Sequence, residues 1–197
     1  MLDSELTLGT PMESDTRQIA LGLRRGDVVT LEALVEQYQY RLVRYLIYLL
    51  GRRDGVDDLV QETWLRVMER GSSYDGQSRF EPWLFKVARN IAVDAMRKRR
   101  IFSLDSNDGD GVRPAPASVE PSPFTVAART DDADRLARSL DTLEPVYREA
   151  LVLRFQEDLS LQEISEIVGA PVSTVASRIY RALATLRPQL EGAQHEH

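Results

Sequence analysis

The chain has 197 residues, 43% apolar and 28% charged, with a formal net charge of −6, a balance that fits one or two small folded domains and excludes a disordered tail or a fibre. With no cysteine, and with its two histidines, His195 and His197, on a polar end, it has no disulfides, thiolate nucleophiles or cysteine zinc sites, and most catalytic triads and metal centres are removed. No apolar run approaches the roughly eighteen residues a membrane span needs, and the acidic opening Met1 to Asp15 lacks the basic flank of a signal peptide. These features predict a cytoplasmic protein with no membrane insertion, no metal and no cofactor.

Helical periodicity dominates, no stretch alternates strictly between apolar and polar, and the predicted fold class is all-α. In chain order, Leu31, Leu34, Val35, Tyr38, Leu42, Tyr45, Leu46 and Leu49 recur at helical spacing and stop at Gly51. A second helix is predicted from about Val56 to Arg70, ending at Gly71, and a third from Phe80 to the basic cluster Arg97 to Arg100. From Ser103 to Thr130 the composition turns to Asp, Ser, Gly and Pro, with Pro114, Pro116, Pro121 and Pro123 close together, which reads as a flexible linker. Helical pattern resumes near Asp131, and two further helices are predicted over about Ser160 to Val168 and Pro171 to Arg187, parted by Gly169 and Ala170. The expected organisation is a first helical domain over 14–101, an acidic, proline-rich linker over 102–130, and a second domain over 131–191 containing a helix-turn-helix.

Charge is blocked along the chain. Arg89, Arg97, Lys98, Arg99 and Arg100 stand against one acid, Asp94, whereas the stretch from Ile101 to Asp134 is predominantly acidic. At 100° per residue, Val56, Leu59, Val60, Thr63, Trp64 and Val67 share one face of the second helix. The opposite face gathers Asp57, Asp58, Gln61 and Glu62 around Leu65, with Met68 near its edge. Acids at a helix start complement the helix dipole, and a plain solvated face would look the same; a large apolar side chain centred among them favours a basic partner with an apolar contact.

On the third helix, Phe80, Trp83, Leu84, Val87, Ala88, Ile91 and Ala95 form the predicted core stripe. Lys86, Arg89, Asn90, Val93, Arg97 and Arg100 lie on the other side, cations for phosphates with one amide able to pair with a base edge; soluble surface or anionic lipid are the alternatives. The polar connection from Gly71 to Arg79 contains Tyr74, either part of a simple connector or an aromatic on which an unpaired base stacks. In the last helix pair, Leu161, Ile164, Ile167, Val168, Val172, Val175, Ile179, Leu183 and Leu186 are predicted to face inward. Ser173, Thr174, Ser177, Arg178 and Arg181 face away, hydroxyls and arginines suited to a helix in the major groove, although such hairpins also serve as packing units.

These pieces in this order resemble the sigma-70 family of bacterial transcription initiation factors, in particular its extracytoplasmic function (ECF) members. The resemblance spans about Thr16 to Leu190 and rests on Asp57-Asp58-Leu59-Val60-Gln61-Glu62-Thr63, on Phe80, Trp83-Leu84 and Ala88-Arg89-Asn90 through Asp94 to Arg97, on Leu159-Ser160-Leu161-Gln162-Glu163-Ile164, and on Ser173 through Ala182. It implies a region 2 domain followed by a region 4 domain. It further implies that Asp57, Asp58, Gln61, Glu62 and Leu65 meet the coiled coil of the β′ clamp of core RNA polymerase. Tyr74, Lys86, Arg89, Asn90, Arg97 and Arg100 would then serve the minus-10 element of promoter DNA, and Ser173, Thr174, Ser177, Arg178 and Arg181 the minus-35 element. The linker resembles the segment threaded toward the polymerase active site, and an anti-sigma factor is an expected partner. Ala176 and Leu183 depart from the family's frequent basic residues, and Leu183 projects onto the core face.

The rival reading is a stand-alone helix-turn-helix regulator that binds duplex DNA without polymerase, usually as a symmetric dimer. The acidic face argues against it, since such a surface repels DNA. No catalytic residues are expected: the nucleophile and ligand types are missing, and Asp57 and Asp58 point about 100° apart on their helix.

Overall fold

A computed structural model describes residues 11–105 and 138–191, and the expected linker, the acidic opening and the two histidines fall mostly or wholly outside these. Among the described residues the regular elements are helical. The first half consists of α1 (Pro11–Arg25), α2 (Val28–Leu50), α3 (Val56–Arg70) and α4 (Phe80–Asp105), with a short 3-10 turn at Gly71–Ser73. The second half consists of α5 (Pro145–Leu151), a wider π-helical turn at Val152–Gln156, α6 (Leu161–Val168) and α7 (Val172–Glu191).

Local chemistry fixes the helix ends. Asp27 caps α2: its carboxylate accepts from the Thr30 amide at 3.1 Å and the Thr30 hydroxyl at 2.5 Å, and these bonds hold its carboxyl below the usual range. The α6 start carries a capping box, in which Ser160 Oγ accepts from the Glu163 amide and Glu163 Oε2 accepts from the Ser160 amide at 2.7 Å. Gly169 closes α6 at φ +65°, a left-handed conformation that a side chain disfavours, and so sets the sharp turn into α7.

Helices α2, α3 and α4 pack on one another. Leu42, Tyr45, Leu46, Val67, Leu84, Phe85 and Ala88 are fully enclosed. The predicted stripe of α3 is its buried face, residue for residue: Val56, Leu59, Val60, Thr63, Trp64 and Val67. Helix α1 lies across the α3–α4 connection. There Gly76 has φ +73° and a Cβ would stand 2.8 Å from Ala20 Cβ and 3.0 Å from the Thr16 carbonyl, so both conformation and space require glycine.

In the second half, Leu153, Leu159, Ile164, Val175 and Ala182 are fully enclosed where α5 and α6 meet α7. The two halves also pack together, α5 against α2 and α6 against α4. Phe85 and Ala92 of α4, outside the predicted stripe, are fully buried. They lie toward Arg89 on the flank of α4, which the second half covers. Two inward assignments on α7 are corrected: Val172 is 36% and Leu183 43% exposed, because the helix meets its neighbours along the narrower line of Val175, Ile179, Ala182 and Leu186.

Ser160→Ala removes one side of the capping box and is expected to lower stability by about 1 kcal/mol, read as a lower urea midpoint at unchanged slope. An unchanged midpoint would mean that α6 is held by packing alone.

Candidate functional site

Four surfaces follow from this framework. On α3, burial of the apolar stripe turns Asp57, Asp58, Gln61, Glu62, Leu65 and Met68 outward together, and all six are exposed. Leu65 and Met68 are each 59% exposed, an apolar pair beside carboxylates. Asp57 and Asp58 sit in the first turn, where the helix dipole favours them, and neither has an ion pair among the described residues. Arg66 reaches Glu62 at 3.5 Å and Glu69 at 3.6 Å, loose surface pairs that leave the face acidic.

The connection from Gly71 to Arg79 corrects one assignment. Tyr74 is 1% exposed. Its ring packs on Phe80 and Trp83, with centroids 5.3 and 5.7 Å away, and its hydroxyl donates to the Ser78 carbonyl at 2.5 Å. Burial, with Glu81 and Asp75 adding, pushes the phenol up to about 12. Tyr74 therefore anchors the loop from inside and offers no face to a base. The apolar demand of the Phe80–Trp83 group explains this: an aromatic that closes a core gains more than one left in water. Trp83 is half-buried in the same group, as its place on the apolar stripe predicts.

On α4, Lys86, Asn90, Arg97 and Arg100 are exposed and form a basic edge. Arg97 pairs with Asp94 at 3.0 Å across one turn of helix. Arg89 behaves differently. Its Nε donates at 2.8 Å to Glu149, a residue of α5 whose side chain is 2% exposed. The sequence places Arg89 in the basic strip, and the structure places its guanidinium between the halves.

On α7, Ser173, Thr174, Ser177, Arg178 and Arg181 come together with Val146 and Tyr147 around a shallow hollow of about 470 Å³. Neither Arg178 nor Arg181 has an ion pair among the described residues, so both guanidinium groups are available to an anion. Tyr180, 76% exposed, stands beside this group and escaped sequence reasoning, since an aromatic at helical spacing reads as core. Its signal is angular: on α7 it projects about 140° from Val175. The described residues contain no cluster of His, Cys, Asp and Glu placed to hold a metal, and none of their helices is long and apolar enough to cross a membrane.

Comparison with known proteins agrees with this layout. Residues 34–101 match sigma-70 region 2 and residues 133–186 match sigma-70 region 4. The chain is 30% identical to the ECF RNA polymerase sigma factor SigM of Bacillus subtilis over 81% of its own length and 94% of that protein. It is 29% identical to SigW of the same organism over 85% of its own length and 92% of that protein. Among solved structures, the sigma factor RpoE of Bartonella quintana, crystallised with the anti-sigma factor NepR, superposes with a TM-score of 0.69 at 28% identity, covering 81% of this chain and 96% of that one. Two helical domains with separate acidic and basic faces thus define a sigma-70 class initiation factor. Within that class, the chain belongs to the ECF RNA polymerase sigma factors.

Tyr74→Ala is expected to destabilise the fold by about 3–5 kcal/mol through the cavity it leaves. Tyr74→Phe is expected to cost about 1 kcal/mol and to leave DNA affinity unchanged in a titration with single-stranded promoter DNA. A stable Tyr74→Phe protein that lost such binding would return Tyr74 to the DNA surface.

Proposed function

We propose that the outer face of α3 is the docking surface for core RNA polymerase, the basic edge of α4 holds the minus-10 strand, and the hollow on α7 reads the minus-35 duplex. The observation that carries this reading is the coexistence of an unpaired acidic face bearing Leu65 and Met68 with separate basic faces on α4 and α7. A protein that only bound DNA would gain nothing from the first, because like charges repel at close range. A subunit that joins polymerase to promoter uses all of them.

In this reading the coiled coil of the polymerase β′ clamp supplies basic residues to Asp57, Asp58 and Glu62, a hydrogen bond to Gln61 and an apolar side chain to Leu65. Lys86, Arg97 and Arg100 contact phosphates of the minus-10 region, and Asn90 a base edge. Ser173, Thr174 and Ser177 meet phosphates at the start of the recognition helix while Arg178 and Arg181 reach into the major groove. The protein does no covalent chemistry: initiation at a chosen site and strand opening follow from binding energy alone, in the cytoplasm where polymerase works. The relative crystallised with NepR makes a partner of the anti-sigma type the natural means of control.

Two experiments test the separate surfaces. Asp58→Lys with Glu62→Lys is expected to abolish capture of core polymerase in a pull-down while leaving the circular dichroism spectrum intact; undiminished capture would remove the α3 assignment. Arg181→Ala is expected to weaken binding to minus-35 duplex and Asn90→Ala to minus-10 single strand, each by about 1–3 kcal/mol. Equal loss of both activities in each variant would contradict two sites.

A further inference from the structure

The junction between the halves carries charges that no surface described above uses. Glu149 accepts from Arg89 Nε at 2.8 Å and from the Tyr45 hydroxyl at 2.9 Å. Glu157 accepts from Arg41 Nε at 2.7 Å and from Arg44 Nη2 at 3.2 Å. The two carboxylates have side chains 2% and 0% exposed, whereas those of Arg41 and Arg44 remain 25% and 32% exposed. Close by, Arg79 donates to the Asp158 carbonyl at 3.1 Å. All the cations come from the first half and all the acceptors from the second.

The placement of the two acids depends on an irregular helix. They are eight residues apart, which in a regular α-helix would set them about 80° apart in projection. The π turn at Val152–Gln156 lies between them; its wider loop lowers the rotation per residue and returns Glu157 toward the face of Glu149. One face of the second half thereby presents two anions to one basic patch of the first.

Resting on the reading of this chain as a DNA-binding initiation factor, we infer that Arg41, Arg44 and Arg89 form a binding surface for the phosphates of single-stranded DNA, which the chain covers with its own Glu149 and Glu157. The donor set fits that ligand. Guanidinium groups spaced along α2 and α4 meet separate oxyanions, as successive phosphates require. Arg44 Nε is buried without an acceptor, a donor that the carboxylates leave unused. Arg89 belongs to the same face of α4 as Lys86 and Asn90, so the patch extends the basic edge toward α2. While the halves are closed this part of the DNA surface is occupied; separating them frees three cations together.

The test uses the full chain. Because it has no cysteine, Ser72→Cys and Gln162→Cys at exposed positions accept a dye pair that reports separation of the halves. The probe is short oligothymidylate. Glu149→Gln with Glu157→Gln is expected to reduce energy transfer and to tighten oligonucleotide binding about tenfold, since affinity scales with the fraction of open molecules. Three added phosphate contacts should steepen the salt dependence of log K by about 2. Adding Arg41→Ala and Arg44→Ala is expected to reverse most of the affinity gain while energy transfer stays low. In the parent background, where the carboxylates are untouched, Arg41→Ala with Arg44→Ala is expected to lower energy transfer without raising affinity.

Opening of the halves with unchanged oligonucleotide affinity would overturn the phosphate surface. Unchanged energy transfer in both the carboxylate and the arginine variants would overturn the closure. Either failure leaves promoter-directed initiation by the parent chain with core polymerase intact, and loss of that activity instead would count against the functional reading itself.

Discussion

Burying a carboxylate without a partner costs several kcal/mol, and one that is paired and hydrogen-bonded is held by its partners in a single geometry. Glu149 and Glu157 are two such groups, and their partners lie on α2 and α4, across the chain's largest sequence gap between described segments. The arrangement of the halves depends on this requirement. Tyr45 joins it from inside the first core: burial, then the charge of Glu149, raises its phenol well above the ordinary value, so it stays a donor to Glu149 at any physiological pH. Removing one member of such a group leaves the others buried and unpaired, which makes the junction all-or-none.

Function divides along the same line. The α3 face points away as a consequence of core packing: the stripe from Val56 to Val67 faces α2 and α4, and Asp57, Asp58, Glu62 and Leu65 have nowhere else to go. The α7 hollow is likewise set by packing, with Val175 and Ile179 inward and Ser173, Ser177 and Arg181 outward. Only the α4 surface is shared between tasks. Lys86 and Asn90 face solvent while Arg89, on the same helix, is committed to Glu149. A factor that must meet polymerase before promoter has reason to keep part of its DNA surface covered, and a clasp of ion pairs is weakened by the same polyanion it gives way to.

Much of this was legible in the sequence, and the gaps have specific causes. Periodicity returned the buried face of α3 complete, since that helix packs on one side only. It under-read α4, because Phe85 and Ala92 are covered by a second surface from far along the chain. Leu183 and Val172 were misassigned because a helix packed along a narrow line leaves its flanks open. Tyr74 illustrates the converse: a loop position in a polar string carries no periodicity, and its burial follows from the aromatic neighbours it finds in three dimensions. Glu149 and Glu157 had no local signal, and the π turn that aligns them breaks the very period from which faces are read. Among the site residues, those on the exposed sides of α3 and α7 were recoverable from spacing alone, whereas the pairing of Arg89 required the fold.

The central claim is that this chain confers promoter choice on polymerase, and the most direct measurement is run-off transcription by purified core RNA polymerase on a pool of genomic DNA fragments, with and without the protein. Defined new start sites that appear only when both are present, preceded by common minus-35 and minus-10 sequences, are the expected result. Tight binding to duplex fragments without any polymerase-dependent start site would contradict it.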